Sequence, residues 1–118
     1  MSDGTDRERA AEPEDLGRLF LERAKAGDVA GIVALYEAEA VIASPPGVLS
    51  TGTAAIRRVY EALLADPPPF RGDVRPAIRH GDLALTSTRF RGGATAEIAR
   101  RQSDGTWLWI ADQPNVVG

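Results

Sequence analysis

Apolar side chains recur every three to four positions in three stretches of the first half of the chain, which predicts three helices. The first helix starts at Pro13 and ends at Gly27, and a shorter second helix starts after Asp28. Thr53 begins a third helix, whose apolar residues fall at i, i+3, i+4, i+7 and i+8. The run of residues 66–69, Asp-Pro-Pro-Pro, ends that helix.

From Phe70 onward the apolar period changes to two, which predicts strands separated by tight turns. Gly92-Gly93 and Asp104-Gly105 each read as a two-residue hairpin turn. An earlier strand is expected at residues 41–43, Val-Ile-Ala. Helices followed by an antiparallel meander are typical of the α+β class, in which helices cover one face of a sheet.

Residues 1–12 mix charged and small polar residues without apolar periodicity, so we expect a loose tail there. A chain of 118 residues is of single-domain size, and we expect residues 13–118 to form that domain. The absence of cysteine favours a reducing compartment, and no stretch has the length of an apolar membrane span. The sequence therefore predicts a cytoplasmic protein that does not bind membranes.

The charge distribution argues against nucleic-acid binding. The formal net charge is −3, and the first 15 residues carry six acids against two arginines, which leaves the body of the chain near neutral. Proteins that neutralise phosphates need a strong basic excess on one face.

Chemistry is best placed on the predicted hairpins. If both turns have two residues, Glu97 lies opposite Thr88 on one side and Asp112 on the other. Two carboxylates on an otherwise apolar face repel each other, and the repulsion is relieved when one of them holds a proton near neutral pH. Glu97 and Asp112 are therefore the candidate catalytic acid and base.

Two alternatives remain for this pair. The face could be wet, with both acids ionised, or Arg101 or another arginine could neutralise them. A slip of one residue in either hairpin would also separate the two carboxylates.

The same register puts Trp107 and Trp109 on the opposite, outer face of the sheet, beside arginines. Tryptophan flanked by arginine is typical of a protein interface, so a homodimer through this face is one interpretation. Ordinary core packing is the other.

Metal and cofactor chemistry finds little support. With no cysteine and a single histidine, His80, a structural zinc site cannot be assembled from the usual ligands. No dinucleotide-binding or phosphate-binding glycine motif is present in the sequence, and no cofactor is predicted.

Several segments in the central block and near the end of the chain match the pattern of a known family. They are Ala26-Gly27-Asp28, residues 31–36 (GIVALY), Pro45-Pro46-Gly47, residues 52–60 (GTAAIRRVY) and residues 100–107 (RRQSDGTW). These residues resemble the ketosteroid isomerase-like and SnoaL-like branch of the nuclear transport factor 2-like superfamily, over about residues 16–115. The resemblance implies a cone of curved, mainly antiparallel sheet wrapped by three helices, an enclosed apolar pocket, and usually a dimer.

The resemblance also implies site positions. In the isomerases a carboxylate base precedes the first-strand proline and a tyrosine stands on helix one, but here these positions hold Ser44 and Phe20. A serine hydroxyl is a poor base without a partner, and phenylalanine has no proton to donate, so steroid isomerisation by the familiar mechanism is not expected. The sheet acid, in turn, falls at Glu97, and the supporting aromatic positions, on helices two and three, fall at Tyr36 and Tyr60.

The resulting pocket is lined by a phenylalanine ring, two acids, two phenols and two hydroxyls: Phe20, Tyr36, Ser44, Tyr60, Thr88, Glu97 and Asp112. It suits a small apolar ligand with a carbonyl group, such as a polyketide-like molecule. The leading hypothesis is acid/base isomerisation or cyclisation of such a ligand. The alternatives are a non-catalytic ligand-binding or dimerisation module, and a protein whose ligand-binding role has been lost.

Overall fold

A computed structural model describes residues 7–116 as three helices and nine strands. The helices are α1 (Glu14–Lys25), α2 (Val29–Val33) and α3 (Thr53–Ala65). The strands are β1 (Tyr36–Ile42), β2 (Ser50–Thr51), β3 (Asp73–Val74), β4 (Ile78–His80), β5 (Leu83–Thr86), β6 (Thr88–Phe90), β7 (Gly93–Ala94), β8 (Ala96–Arg101) and β9 (Trp107–Gln113).

Six strands form the main sheet in the order β2-β1-β9-β8-β5-β4, and β3, β6 and β7 form a smaller sheet. The first strand, β1, runs parallel to the last, β9, while the other paired strands are antiparallel. A mixed, mostly antiparallel sheet with three helices confirms the predicted α+β class.

The helices form where the sequence predicts them, except that α2 ends at Val33, so that Tyr36, expected on this helix, is the first residue of β1. Pro13 precedes α1, and Leu16 and Leu19 on its inner face are fully buried. The carboxylate of Asp28 caps α2 by accepting a hydrogen bond from the Gly31 N–H at 3.0 Å. The buried core joins these helix faces to the inner face of the main sheet, so the polar groups on that face lie under the helices.

The hairpin between β6 and β7 differs from the prediction by the position of its turn. Phe90 pairs with Gly93, so the two turn residues are Arg91 and Gly92, and Gly92 adopts a positive φ of 86°. Moving the turn back by one residue shifts the pairing by two. Glu97 therefore pairs with Thr86 on β5, and the predicted opposition of Glu97 and Thr88 is wrong.

The hairpin between β8 and β9 contains two irregularities that compensate. Its turn is one residue longer than predicted, because Arg101 pairs with Trp107, and a bulge between Ile98 and Ala99 then restores the predicted register. Glu97 consequently pairs with Asp112, as the sequence analysis expects.

Between the turn and the bulge, β9 is displaced by one residue, and this displacement turns its side chains over. Trp107 and Trp109 therefore point into the core, where they are 2% and 3% exposed. Their predicted place on the outer sheet face, as the contact surface of a homodimer, is wrong, and the core-packing alternative is correct.

The N-terminal segment (residues 7–12) lies against the domain, whereas the sequence analysis expects a loose tail at residues 1–12; residues 1–6 lie outside the described part of the chain. Ala10 is 2% exposed, and its carbonyl accepts a hydrogen bond from the Trp107 N–H at 2.9 Å. The charged side chains of the segment form ion pairs with other described residues: Arg7–Asp28, Glu8–Arg18, Arg9–Asp104 and Glu12–Arg79. Because one backbone bridge and matched charges hold the segment, apolar periodicity could not predict it.

Within residues 7–116, none of the helices combines the length and the apolar character that crossing a membrane requires.

Candidate active site

Two carboxyl groups lie side by side on the inner part of the main sheet. Glu97 on β8 is directly opposite Asp112 on β9. Glu97 is 5% exposed, and Asp112 is half-buried. Each carboxyl group ends a separate chain of hydrogen bonds that starts at an aromatic side chain.

The chain that ends at Asp112 contains the two tyrosines. The Tyr36 hydroxyl donates to Oδ2 of Asp112, and it lies 2.6 Å from the Tyr60 hydroxyl. A phenol has one proton, so Tyr60 must donate to the oxygen of Tyr36. Both hydroxyl protons therefore point towards Asp112.

The chain that ends at Glu97 starts at an indole. Nε1 of Trp109 donates to Oγ1 of Thr86 at 3.0 Å, and Thr86 donates to Oε1 of Glu97 at 2.6 Å. Indole nitrogen can only donate, so the direction of this chain is also fixed. Thr86 and Trp109 are the two members of the site that the sequence analysis does not assign to it: Thr86 because of the misplaced turn, and Trp109 because of the displaced strand.

Burial changes the titration of both carboxyl groups. Loss of hydration, together with the nearby charge of Glu97, raises the pKa of Asp112 to about 7, although the Tyr36 hydrogen bond opposes the rise. Burial also raises the pKa of Glu97, against the opposing effect of the hydrogen bonds from threonine. The pair can thus hold a proton near neutral pH.

Burial, with the nearby charge of Asp112 in second place, raises the pKa of both Tyr36 and Tyr60 well above the usual value for a phenol. The two phenols consequently stay protonated and act as hydrogen-bond donors.

No cation compensates the pair. Within residues 7–116, neither Glu97 nor Asp112 takes part in an ion pair. Arg101, which the sequence analysis considers as a neutralising partner, binds Asp82 at 2.5 Å instead. That alternative is therefore wrong.

The remaining residues assigned to the pocket lie at different distances from this centre. Phe20 belongs to it through ring contacts, with its centroid 5.8 Å from that of Tyr60 and 6.3 Å from that of Trp109. Thr88 does not: its N–H donates to Oγ1 of Thr95 in the smaller sheet region. Ser44 follows the end of β1, and its carbonyl accepts a hydrogen bond from the Ser50 hydroxyl.

A shallow cleft of about 370 Å³ lies on the outer face of the main sheet, where Val41, Leu85 and Ile98 line it. Glu97 and Asp112 border this cleft, but they alternate with those residues along their strands, so their carboxyl groups point to the inner face. Across residues 7–116, no group of three or more acidic or histidine side chains is arranged to hold a metal ion.

A model of the SnoaL-like domain matches residues 18–112, which is most of the chain. The chain belongs to the SnoaL-like domain family. No protein with a curated description matches the sequence. The matched range covers most of α1, all of the main sheet except the last residue of β9, and both carboxyl groups of the site.

Solved structures resemble this SnoaL-like domain in fold. A ketosteroid isomerase-like protein from Erwinia carotovora atroseptica has a TM-score of 0.72 and 14% identity, over 85% of this chain and 89% of that chain. An NTF2-like protein of unknown function from Pseudomonas putida has a TM-score of 0.66 and 20% identity, over 84% and 80%. An NTF2-like protein with a cystatin-like fold from Novosphingobium aromaticivorans has a TM-score of 0.65 and 20% identity, over 85% and 76%. The SnoaL-like branch of the NTF2-like superfamily, which the sequence analysis names, is thus confirmed.

Proposed function

We propose that this SnoaL-like domain is an acid/base enzyme that isomerises or cyclises a small apolar carbonyl compound at Glu97 and Asp112. The observation that carries the proposal is the pairing of two carboxyl groups on adjacent strands, each hydrogen-bonded by a donor from the core and neither joined to a cation among residues 7–116. Such a pair can donate one proton and accept another on the same face of the sheet.

The roles follow from the surroundings of the two acids. Asp112 holds the shared proton, because the charge of Glu97 adds to the effect of burial on its pKa. Protonated Asp112 hydrogen-bonds to the carbonyl oxygen, and ionised Glu97 removes a proton from the adjacent carbon. The C–H electron pair then forms a carbon–carbon double bond, the carbonyl pair moves to oxygen, and Asp112 transfers its proton to that oxygen, which gives an enol. Glu97 then returns its proton to another carbon while the enol O–H proton goes back to Asp112, which gives the isomer; in cyclisation the enol carbon attacks a second carbonyl carbon, the enol proton returns to Asp112 and Glu97 protonates the new alkoxide.

The familiar steroid isomerase mechanism receives no support. Ser44 occupies the position of its base and Phe20 the position of its helix-one tyrosine, and neither side chain is hydrogen-bonded to the carboxyl pair. The likeness to a ketosteroid isomerase-like protein supports the fold and the general chemistry only. The cytoplasm, favoured by the absence of cysteine, is the compartment we propose.

The test is a titration of the side-chain carboxyl carbons by nuclear magnetic resonance, followed by a screen of small cyclic and β-dicarbonyl compounds for proton–deuterium exchange at carbon. We expect a step near pH 7, assigned to Asp112 by Asp112→Asn, and exchange that Glu97→Gln abolishes. Glu39→Gln, on the exposed part of β1, is the matched control and should change neither result. Two steps near the ordinary carboxyl value of about 4 would refute the proposal.

A second function is favoured by the outer face of the main sheet: homodimerisation. Five residues that are neighbours in register across five strands form an outer apolar row: Ile78, Leu85, Ile98, Ala111 and Val41. We propose that this row is a dimer contact surface. Ile78, Leu85 and Ile98 are exposed, and a row of this kind is typical of a contact surface. Because the row is continuous and self-complementary in character, a second copy of the chain is the partner we propose.

A further inference from the structure

A second cleft, of about 540 Å³, lies between the N-terminal segment and the β8–β9 hairpin. It shares no lining residue with the cleft at Glu97 and Asp112. Its walls include Leu35, Trp107 and Leu108, and its charged residues include Arg7, Arg9 and Arg23. The proposed acid/base chemistry uses none of them.

Arg23 is the unusual member of this cleft. Arg23 is only 8% exposed, and the hydrogen bonds of its guanidinium go to two backbone carbonyls: Nη1 donates to Gly31 at 2.8 Å, and Nη2 donates to Glu8. A guanidinium has five N–H groups, so these two bonds leave donors unused. Within residues 7–116, no carboxylate lies within ion-pair distance of Arg23.

The acids around Arg23 are committed elsewhere. Asp28 is paired with Arg7, and the Glu8 carboxylate is paired with Arg18. Asp104, on the far wall of the cleft, is paired with Arg9. Burial, followed by the charge of Arg7, lowers the pKa of Arg23, which is the direction expected for a cation that lacks enough negative charge nearby.

A buried charge is ordinarily paired, because an uncompensated one loses its hydration without an equal return. The planar guanidinium fork suits a carboxylate, which can accept two parallel hydrogen bonds. The apolar walls next to it suit a hydrocarbon tail. We propose that this cleft is a ligand site for a small carboxylate with a short apolar tail, whose carboxylate pairs with Arg23.

The test compares two probes of equal size on the full chain at low ionic strength. Hexanoate carries the charge and hexanamide does not, and binding is followed through amide and indole shifts in nitrogen-15 correlation spectra. We expect hexanoate to bind about tenfold or more tightly than hexanamide, as the loss of a charge-assisted hydrogen bond requires. The largest shifts should fall on Thr106 and on the Trp107 indole, both at the cleft.

Three variants locate the binding. Arg23→Gln should remove the preference for hexanoate, while Arg89→Gln, which makes the same charge change at an exposed residue of β6, should keep it. Ala34→Trp fills the cleft from its exposed rim without altering Arg23, so it decides the matter if Arg23→Gln does not fold. Equal binding of the two probes, no binding of hexanoate, shifts centred elsewhere, or full binding by Ala34→Trp would each overturn the proposal. Binding of inorganic phosphate without hexanoate would overturn it as well, because the apolar walls would then have no role.

Discussion

Tyr36, the first residue of β1, donates a hydrogen bond to Asp112 on the neighbouring strand β9, and this bond opposes the rise in the pKa of Asp112. Tyr36→Phe removes the donor while keeping the ring. We predict that the pKa of Asp112 moves upward from about 7 in this variant, and that the free energy of unfolding falls by about 1 kcal/mol. Carboxyl carbon titration and chemical denaturation measure the two effects.

Tyr60→Phe is the matched control for that prediction. Tyr60 donates to Tyr36 and does not contact Asp112 in the hydrogen-bond chain, so its loss leaves the Tyr36–Asp112 bond in place. The pKa of Asp112 should move less than in Tyr36→Phe. An equal or larger movement in Tyr60→Phe would show that the direct bond does not control the titration of Asp112.

The raised pKa of Asp112 predicts an unusual dependence of stability on pH. In the unfolded chain the group has its ordinary value of 3.8, and in the folded chain it has a value of about 7, so the folded state binds the proton more tightly. The stabilisation that proton binding by Asp112 adds to the folded state is complete below about pH 4 and is lost as the pH rises through 7. Glu97, whose pKa is also raised, acts in the same direction. We predict that the free energy of unfolding falls by roughly 1 to 3 kcal/mol between pH 5 and pH 8.

Denaturation of the Asp112→Asn variant separates this effect from that of other groups. Asparagine cannot titrate, so the fall between pH 5 and pH 8 should shrink, and the variant should gain stability relative to the parent as the pH rises. Asp28 has a lowered pKa and contributes in the opposite sense, but only below about pH 4, outside this window. A parent protein that is more stable at pH 8 than at pH 5 would contradict the prediction.

Attachment of the N-terminal segment predicts a contrast between two adjacent alanines. Ala10 is buried beside Trp107, whereas Ala11 is exposed. Ala10→Asp places an unpaired carboxylate in the core and should cost about 2 kcal/mol or more. Ala11→Asp adds the same charge at the surface and should change stability by less than about 0.5 kcal/mol. Thermal denaturation and the emission maximum of tryptophan distinguish the two, and equal effects would mean that the segment is not held at Ala10.

The pattern of apolar residues is sufficient to place the three helices, because most of their ends carry a clear signal such as Pro13 or the prolines after α3. The end of α2 carries no such signal, and Tyr36 lies on β1 rather than on that helix. The apolar pattern is not sufficient for the inside and outside of β9. A longer turn and a bulge each shift the register by one residue, and neither has a distinctive sequence signature. The two shifts cancel at Asp112, which keeps its predicted partner Glu97. In the stretch of β9 between the turn and the bulge, the register stays displaced by one residue, so Trp107 and Trp109 lie on the inner instead of the outer face.

The candidate site was predictable to a similar degree. The pairing of Glu97 with Asp112 follows from hairpin geometry, and the phenols of Tyr36 and Tyr60 enter through the family resemblance. The hydrogen-bond chain from Trp109 through Thr86 to Glu97 could not be predicted in this way, because Thr86 and Trp109 come together only through the observed register of two hairpins and the inward orientation of Trp109 on β9. Contacts that depend on three strands at once exceed what local patterns can specify.

The outer apolar row replaces the two tryptophans as the proposed surface for a second copy of the chain. Ile98 stands at its centre, between Leu85 on β5 and Ala111 on β9, so a charge there meets its own symmetry mate if the interface is isologous. We predict that Ile98→Glu turns a dimer into a monomer at micromolar concentration, as measured by sedimentation velocity, without loss of fold. Val116→Glu, which adds the same charge at an exposed apolar residue outside the row, should stay dimeric. In Ile98→Glu, dimerisation would bury two like charges against each other, whereas in Val116→Glu the added carboxylate stays in solvent. The two variants should therefore differ in their monomer–dimer equilibrium even if the dimer is weak. A parent chain that sediments as a monomer would refute the proposed dimer, and a dimer unaffected by Ile98→Glu would place its interface elsewhere.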